Sequence, residues 1–559
     1  MKRPLWWLLG FAALLRVVYL LDYQAHSVFW DSMLLDAEVY DQLAQKIAAG
    51  DWLGGQEVYS LPPLYPYFLA VIFKIAGHGY AAVYVIQCLL GLANICLIHS
   101  IGRKVLSGRA PLIAAAMATL YGSFMFMESK LMSTTLALTL GLLLMRTLIW
   151  AAERRTLTLW AICGGLLGIT ALARPETLLF VPLASWWIHR LSRKPRGNAS
   201  GKAGAKKPQV VIDQYALAGR NPWFAISVFV AFVIIAVAPV TLRNWVVSND
   251  WSLSNLISSQ AGITFYQSNN ERANGLYVFL EREGFSGNPH VQAEEEKKIA
   301  EKAAGRPLKR SEVTRYWIGL GMAWIAGNPG NAFVLECFKL LRFLGTYEYS
   351  TEYIIYVERD SVHTLWLTCL PFALISSLAI AGILMQLKER LQPPAILLAL
   401  FVASNLAVVL LFYVSSRYRM PAAPYFILFA ASAVERLVEG FTNRVSAARA
   451  GAWVHAGIVA ALFPVFHFQV DSRHQIQEAN VHYNAGNQYF IKLDYSSAVT
   501  EYDRALAGNR ANWRAWFNRG NALAALNRNQ EAIESYREVL RYNKEMTAAR
   551  RKIESLEGR

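Results

Sequence analysis

The sequence has few charged residues for its length. They make up 17% of its 559 positions, whereas hydrophobic residues make up 55%. Such a composition excludes an ordinary soluble enzyme, because its apolar residues are gathered in runs as long as a bilayer requires, about 20 residues each. Lipid offers no hydrogen bonds to bare backbone, so such runs are expected to be helices.

Cysteine is scarce, and the familiar hydrolase motifs are missing. Five cysteines lie singly in apolar stretches, at Cys88, Cys96, Cys163, Cys337 and Cys369. Because they show no paired spacing, we interpret them as small buried hydrophobes in preference to metal ligands or a disulfide framework. No HExxH, Ser/His/Asp or Cys/His arrangement is visible, which argues against hydrolase chemistry.

The long apolar runs predict a polytopic, all-α membrane protein with about eleven transmembrane helices. They lie near residues 4–21, 79–101, 110–127, 131–151, 157–173, 177–190, 223–242, 364–387, 395–414, 420–437 and 451–468. Residues 64–76 are too short to cross and contain Lys74, so we place them at the interface. No small-residue cleavage site follows the first run, which predicts a retained anchor.

The net charge of +16 indicates topology and not nucleic-acid binding. Basic residues collect in alternate short loops, at Lys2, Arg3, Arg103, Lys104, Arg109, Arg154, Arg155, Lys388, Arg390, Arg444 and Arg449, and most densely over 190–207. Lys and Arg are retained on the cytoplasmic side, so the N-terminus is expected there. The loop 190–207 could instead bind lipid phosphates.

This topology divides the chain into two predicted domains. A transmembrane domain covers 1–468, with extracytoplasmic loops at 22–78 and 243–363, and a second domain covers 469–559 outside the cytoplasm. Within the larger loop, residues 293–304 are predicted to form a charged helix with a solvated face. Residues 311–345 are predicted to form amphipathic helices on the outer membrane surface.

The last 90 or so residues contain an internal repeat. An offset of 34 residues pairs Gly486 with Gly520, Ala498 with Ala532 and Tyr502 with Tyr536. Small residues allow paired helices to approach, and the aromatic fills the gap between them. The pattern resembles tetratricopeptide repeats, with two repeats at 479–512 and 513–546 and a terminal helix at 545–556. A stabilising cap and a peptide-binding surface are both compatible with it.

The first outer loop is rich in carboxylates, with Asp31, Asp36, Glu38, Asp41 and Asp51 inside about twenty residues. Asp36, Tyr40 and Ala44 share a helical face by their four-residue spacing, and Asp41 points away from it. A carboxylate on such a helix, partly desolvated beside apolar spans, can act as a general base. A merely hydrated acidic loop is the alternative.

A series of motifs joins this loop to a family. In order they are Arg16, Asp36-x-x-x-Tyr40-x-x-x-Ala44, Gly50-Asp51-Trp52, Pro62-Pro63-Leu64-Tyr65-Pro66, Leu172-Ala-Arg174-Pro175-Glu176, Pro239-Val-Thr-Leu-Arg243-Asn244 and Arg417-Tyr-Arg-Met-Pro421. Over roughly 1–440 the series resembles the C-type (GT-C) glycosyltransferases of the dolichyl-phosphate-mannose protein mannosyltransferase group. Bacterial relatives include the enzyme that adds aminoarabinose to lipid A.

The resemblance implies an activity and a site. It implies inverting transfer of a sugar from a polyprenyl-phosphate donor, without a cofactor or an essential metal. Asp36 is the implied catalytic base, with Asp31 as the alternative. The outer-edge arginines Arg174, Arg243, Arg417 and Arg419 are candidates for binding the donor phosphate, because guanidinium forks suit phosphate oxygens. Each could also be a snorkelling anchor.

Two further positions stay open at this stage. Glu128 resembles a second acidic position of related enzymes, and an ion pair with Lys130 or an arginine explains it equally well. Relatives often carry a basic residue before the Pro-Pro pair, where this chain has Leu61. Another residue must then supply that charge, and Lys74 and Arg417 are the candidates.

The leading hypothesis is therefore a glycosyltransferase of the bacterial plasma membrane whose partners are membrane lipid, the lipid-linked donor and a protein or lipid acceptor. The repeats could recruit a protein partner; a similar union of spans and repeats in some eukaryotic protein O-mannosyltransferases favours a protein acceptor. A non-catalytic scaffold that recruits envelope proteins is the alternative. A transporter ranks last, because no internal duplication with broken helices is visible.

Overall fold

The protein is helical throughout the part that the structure, a computed structural model, describes: residues 2–191, 221–288, 290–368, 370–388, 391–442, 446–468 and 473–558. Within those ranges there is no strand. The predicted all-α fold is confirmed. The basic loop at 193–207, Cys369, Arg390 and Arg444 lie outside the described residues, as do the side chains of Lys2 and Lys388.

The helices are α1 (Lys2–His26), α2 (Asp36–Ala48), α3 (Leu64–Ala76), α4 (Tyr80–Val105), α5 (Ala110–Leu120), α6 (Gly122–Glu128), α7 (Thr134–Arg154), α8 (Leu157–Ala173), α9 (Phe180–Arg190), α10 (Pro222–Ser248), α11 (Ala261–Ser268), α12 (Gln292–Ala304), α13 (Arg310–Gly327), α14 (Pro329–Leu344), α15 (Ile355–Glu358), α16 (Phe372–Lys388), α17 (Pro393–Leu411), α18 (Ser416–Arg419), α19 (Ala423–Thr442), α20 (Ser446–His467), α21 (Arg473–Ile491), α22 (Tyr495–Gly508), α23 (Trp513–Ala525), α24 (Asn529–Tyr542) and α25 (Thr547–Glu557).

Helices occupy all of the predicted spans. Among the described residues, seven are long and apolar enough to cross a membrane, or eight if α5 and α6, which meet at 55°, form one bent span. The others fall short for visible reasons: α8 has 17 residues, α9 has 11, and α19 carries charged residues in its last two turns. The chain is a multi-pass membrane protein.

The elements predicted for the outer loops are present as helices. The interfacial segment 64–76 coincides with α3, the charged stretch 293–304 with α12, and the amphipathic stretch 311–345 with α13 and α14. Glu294 and Lys298 of α12 pair across one turn and are mostly exposed, as expected for a solvated face.

The chain divides into two compact units. The first contains residues 1–16, 36–347 and 368–469. Its long helices approach closely where they carry glycine: a Cβ on Gly164 of α8 would lie 2.1 Å from the Phe229 carbonyl oxygen of α10. A Cβ on Gly382 of α16 would lie 2.1 Å from the Phe429 carbonyl oxygen of α19. Small residues at such crossings are typical of membrane helix packing.

The second unit contains residues 17–35, 348–367 and 470–559. Its repeats have the predicted geometry, because Gly486 and Gly520 each face the ring of the repeat tyrosine. A Cβ at either position would lie about 2.7 Å from Tyr502 and 2.6 Å from Tyr536, respectively. Each tyrosine hydroxyl donates to an asparagine 15 residues earlier, Asn487 and Asn521. The predicted tetratricopeptide architecture is confirmed, and the terminal helix is α25.

The cysteines are only partly as predicted. Cys88 and Cys163 are buried, whereas Cys96 and Cys337 are exposed on their helices, and all four are free thiols. The prediction that each would be buried is wrong for Cys96 and Cys337. An apolar helix in a membrane protein has a face turned away from the protein, and sequence alone does not tell which face a cysteine occupies.

Candidate functional site

Asp36 is in contact with Arg417, one of the predicted phosphate-binding arginines. The Arg417 Nη1 donates to Asp36 Oδ2 at 2.6 Å, and about a fifth of each side chain is exposed. Asp36 begins α2, where a carboxylate is favoured by the helix dipole. Leu35 before it has φ 46°, a left-handed conformation uncommon for leucine, which turns the chain into the helix.

Arg174 lies beside this pair. Its Nη2 donates to the Arg417 carbonyl oxygen at 2.9 Å and to Thr134 Oγ1 at 3.2 Å, and Nη1 contacts Glu176 at 3.3 Å. It follows the end of α8, and both guanidinium groups lie near the Tyr418 ring, with centroid distances of 5.4 and 5.6 Å. Two carboxylates, Asp36 and Glu176, and two permanent cations therefore share one site.

Tyrosines surround the carboxylate. Tyr40, one turn after Asp36, is buried, and it is hydrogen-bonded to Ser133. Tyr413 accepts a long bond of 3.5 Å from Arg417, and its ring meets those of Tyr277 and Tyr418 at 5.5 Å. Burial raises the pKa of Tyr40, Tyr277 and Tyr418 far above the usual range. These hydroxyls stay protonated, so they can donate hydrogen bonds but cannot serve as bases.

The other two candidate arginines are engaged in backbone contacts. Arg243, near the C-terminal end of α10, donates to the carbonyl oxygens of Leu53 and Gly55 at 3.1 and 2.8 Å, and it also contacts those of Gly54 and Glu57. Its guanidinium stacks on Tyr59 at 4.0 Å. Its contacts are with the 53–57 turn, and its part in binding the donor phosphate stays a prediction.

Arg419 is fully buried. Its Nη2 donates to the carbonyl oxygens of Arg342 and Tyr347 at 2.7 and 3.2 Å, and its guanidinium lies 4.5 Å from the Phe372 centroid. Although it is two positions from Arg417, its guanidinium is directed at the end of α14. These contacts are with backbone carbonyls, and the part of Arg419 in phosphate binding stays a prediction.

Glu128 is one half of a buried ion pair. Arg16 Nε and Nη2 donate to its two carboxylate oxygens at 2.7 Å each. Gly91 of α4 leaves room for it, because a Cβ there would lie 1.9 Å from Glu128 Oε1. Gln87 Nε2 donates to the carbonyl oxygens of Glu128 and Lys130 at 2.9 Å. Of the two open interpretations, the geometry matches the ion pair with an arginine.

The remaining carboxylates of the first loop are engaged elsewhere. Asp31 accepts from Lys492 at 2.5 Å within the second unit. Asp41 lies off the Asp36 face as predicted, yet it is buried, and it is hydrogen-bonded to His78, Tyr80 and Gln45 at 3.0, 3.2 and 2.8 Å. Glu38 meets His290 at 3.3 Å and is half exposed. Asp51 accepts from the Gly54 and Gly55 amides.

Of the two residues expected to replace the missing basic residue at Leu61, Arg417 lies in the site. Lys74 Nζ instead lies 5.4 Å from the Trp52 ring centroid. Among the described residues, no three His, Cys, Asp or Glu side chains are grouped as metal ligands.

Sequence reasoning missed four residues of this site, which interact with Tyr40, Arg174, Asp36 and Arg417: they are Ser133, Thr134, Tyr277 and Tyr413, respectively. Tyr413 carries a weak signal, because it lies four residues before Arg417 and Arg417 contacts its hydroxyl. Ser133 and Thr134 lie at the start of α7, just beyond Glu128. Nothing in the pattern around Tyr277 indicates a site.

Comparison with protein families agrees with the motifs. Residues 60–195 match the model described as dolichyl-phosphate-mannose-protein mannosyltransferase, and residues 483–545 match a tetratricopeptide repeat model. The predicted resemblances are confirmed over these segments. The mannosyltransferase match includes Glu128 and Arg174, but it begins after Asp36 and ends before Arg417.

Several solved structures are similar to this chain. The apo oligosaccharyltransferase of Archaeoglobus fulgidus matches at 14% identity and a TM-score of 0.46, over 83% of this chain and 55% of that one. Its complex, as AglB, with an inhibitory peptide and a dolichol-phosphate matches at 14% and 0.42, with the same coverage. ArnT of Cupriavidus metallidurans bound to undecaprenyl phosphate matches at 14% and 0.33, over 78% of this chain and 79% of that one.

The chain thus spans about 55% of the length of the archaeal structures. At TM-scores below 0.5 these likenesses carry no argument about its chemistry. No curated protein sequence matches significantly.

Proposed function

We propose that the chain is an integral membrane glycosyltransferase. It moves a sugar from a polyprenyl-phosphate donor to an acceptor outside the cytoplasm by a single inverting displacement, with Asp36 as the base. The contact of Arg417 with Asp36 carries the proposal, since it joins the implied base to an implied phosphate ligand within one site. The family match over 60–195 supports the same reaction class.

Asp36 takes the proton in this reaction. The acceptor oxygen forms a bond to the anomeric carbon as the bond from that carbon to the phosphate oxygen breaks, and the acceptor proton passes to the Asp36 carboxylate. A general base at this position typically contributes 10²–10⁴-fold to the rate. The buried hydroxyl of Tyr40 stays neutral beside it and does not compete for that proton.

Arg417 and Arg174 take the charge of the leaving group. The departing lipid phosphate gains negative charge, and two guanidinium groups in one partly buried site stabilise it better than they could in water. Without donor, Arg417 is paired to Asp36, which occupies the carboxylate oxygen that would accept the proton. When Arg417 turns to the phosphate, Asp36 is released to act as the base. No cofactor enters this reaction, because the donor carries the activated sugar.

The orientation and the acceptor are part of the proposal. The N-terminus is cytoplasmic and the site lies outside, in a bacterial plasma membrane, because the alternating basic loops favour that topology. The repeats bring a protein to this membrane, which favours a protein hydroxyl over a lipid as acceptor.

Mass analysis of envelope proteins and lipids tests the proposal. Cells that make the wild-type chain should carry a sugar adduct that is lost with Asp36→Asn, and the modified class of molecule identifies the acceptor. Glu38→Gln is the matched control, because Glu38 also lies in the first turn of α2, where it is half exposed and contacts Gln42 and His290. An adduct unchanged by Asp36→Asn would rule out the assigned base.

A membrane scaffold is the second candidate, and the complete repeat packing around Tyr502 and Tyr536 is what favours it. A scaffold would keep its function with Asp36→Asn and lose it when the repeats are disrupted. The same set of variants therefore separates the two functions.

A further inference from the structure

The repeat region forms one compact unit with the loop that precedes the candidate base. Residues 17–35 and 348–367 belong to the same unit as residues 470–559. Residues 27–35 connect α1 to α2, and α2 begins with Asp36. The repeat unit therefore includes the stretch of chain that ends one residue before Asp36.

Lys492 makes the contact between the repeats and this loop. It lies in the turn between α21 and α22, and its Nζ donates to Asp31 Oδ1 at 2.5 Å and to the Val28 carbonyl oxygen at 3.2 Å. The next residue, Leu493, has φ 63°, a left-handed conformation that leucine rarely adopts. The turn thus has a defined shape that directs Lys492 toward the loop.

The other side of the loop is held by residues 348–367. The Leu34 amide donates to the Tyr353 hydroxyl at 3.1 Å, and the Phe29 ring meets the Tyr353 ring edge-on at 5.7 Å. Ser27 Oγ contacts Glu358 at 3.4 Å. Helix α15, which contains Glu358, packs against α21 of the first repeat. The loop therefore has the repeats on one side and a segment bound to the repeats on the other.

We propose that Lys492 and Asp31 form a clamp through which the repeat region positions the loop leading into Asp36. Asp31 is then a positioning residue and not the base. Loss of the clamp slows sugar transfer, a consequence that rests on the proposed function. The pair is partly exposed, at 40% for Lys492 and 61% for Asp31. Such a pair is worth little as a stabiliser, so its effect should be about two- to fivefold.

Zero-length coupling tests the clamp without any assay of activity. A carbodiimide joins a carboxylate to an amine in contact: the amide bond forms, and the carbodiimide takes up the departing oxygen and protons to become a urea. In native membranes it should link Asp31 to Lys492, which mass spectrometry of proteolytic peptides would detect. Lys492→Arg is the matched control, because arginine keeps the ion pair but gives no such amide. A wild-type chain without the Asp31–Lys492 peptide overturns the clamp.

Transfer kinetics test its role. Lys492→Met should lower kcat about two- to fivefold, the size of one exposed ion pair, with the KM for donor unchanged. Lys492→Arg should restore the rate, and so should the exchanged pair Asp31→Lys with Lys492→Asp. If the ion pair had only a structural role, Lys492→Met would instead lower the amount of folded chain. Comparison with Lys492→Arg would then show no change in kcat that is separate from KM.

The outcomes separate the two proposals. If Asp36→Asn keeps full transfer, the proposed function fails, while the coupled peptide still reports on the clamp. If Asp36→Asn abolishes transfer and Lys492→Met matches the wild type in kcat, the positioning role is overturned. A normal rate for the exchanged pair with a slow rate for each single variant supports it.

Discussion

Arg417 donates a hydrogen bond of 2.6 Å to Asp36, a residue 381 positions earlier in the chain. The contact joins the start of α2 to the short helix α18, and Arg174 donates to the Arg417 backbone from a third element. A single site thus combines a carboxylate with two guanidinium groups. Such a combination suits a reaction in which a proton is removed while a phosphate leaves.

Arg417→Ala should reduce transfer strongly. The variant removes a cation from the leaving phosphate, a type of loss that costs about 10²–10³-fold in rate. Arg417→Lys should recover part of the rate, because it restores the charge but not the planar fork. Initial rates with purified membranes measure both. Equal rates in wild type and Arg417→Ala would contradict the assigned phosphate contact.

Arg419→Met, unlike Arg417→Ala, should lower the stability of the protein and leave the KM for donor unchanged. Arg419 is fully buried and donates to the carbonyl oxygens of Arg342 and Tyr347. Removing it leaves those acceptors without that donor, at about 1–3 kcal/mol of unfolding free energy. A lower thermal unfolding midpoint, with the donor KM of the remaining folded protein unchanged, is expected. A raised KM at normal stability would instead return Arg419 to the phosphate-binding set.

Arg16→Met should destabilise the membrane domain. It leaves Glu128 buried without its partner, and breaking such a pair typically costs about 3–5 kcal/mol. The double variant Arg16→Met with Glu128→Met should recover most of this loss, since two apolar side chains need no partner. Thermal unfolding in detergent compares the three proteins. A double variant no more stable than Arg16→Met would show that the pair is not the cause.

Gly520→Ala should loosen the repeats. The new Cβ would lie 2.6 Å from the buried Tyr536 ring, and overpacking of this kind costs about 1–3 kcal/mol. Gly451→Ala on α20 is the control, since a Cβ there has nothing within 4 Å. Hydrogen exchange of residues 513–542 should rise in the first variant only. Unchanged exchange would contradict the close helix approach.

The fold was largely predictable because it depends on local patterns. Runs of apolar residues locate helices at every predicted span, and the 34-residue offset correctly predicts that Gly486 faces Tyr502. Exact span counts are harder to predict, since α9 has only 11 residues and α5 bends by 55° into α6. The sequence also does not show which side of a helix faces lipid, as the exposed Cys96 and Cys337 illustrate.

The candidate site was predictable only in part, because it depends on contacts between distant segments. The motifs put Asp36, Arg174 and Arg417 in one set, and the structure brings these three together. The same motifs gave Arg243 and Arg419 the same weight, although both bind backbone carbonyls. All four arginines lie near helix ends, and only tertiary structure decides what each guanidinium contacts. The roles of all these residues stay predictions.

The most direct measurement is the transfer rate of Asp36→Asn beside that of Glu38→Gln, in membranes with equal amounts of folded protein. We predict that Asp36→Asn lowers the rate about 10²–10⁴-fold, as for loss of a general base, and leaves donor binding intact. Glu38→Gln should retain the wild-type rate. Equal rates for Asp36→Asn and the wild type would contradict the account.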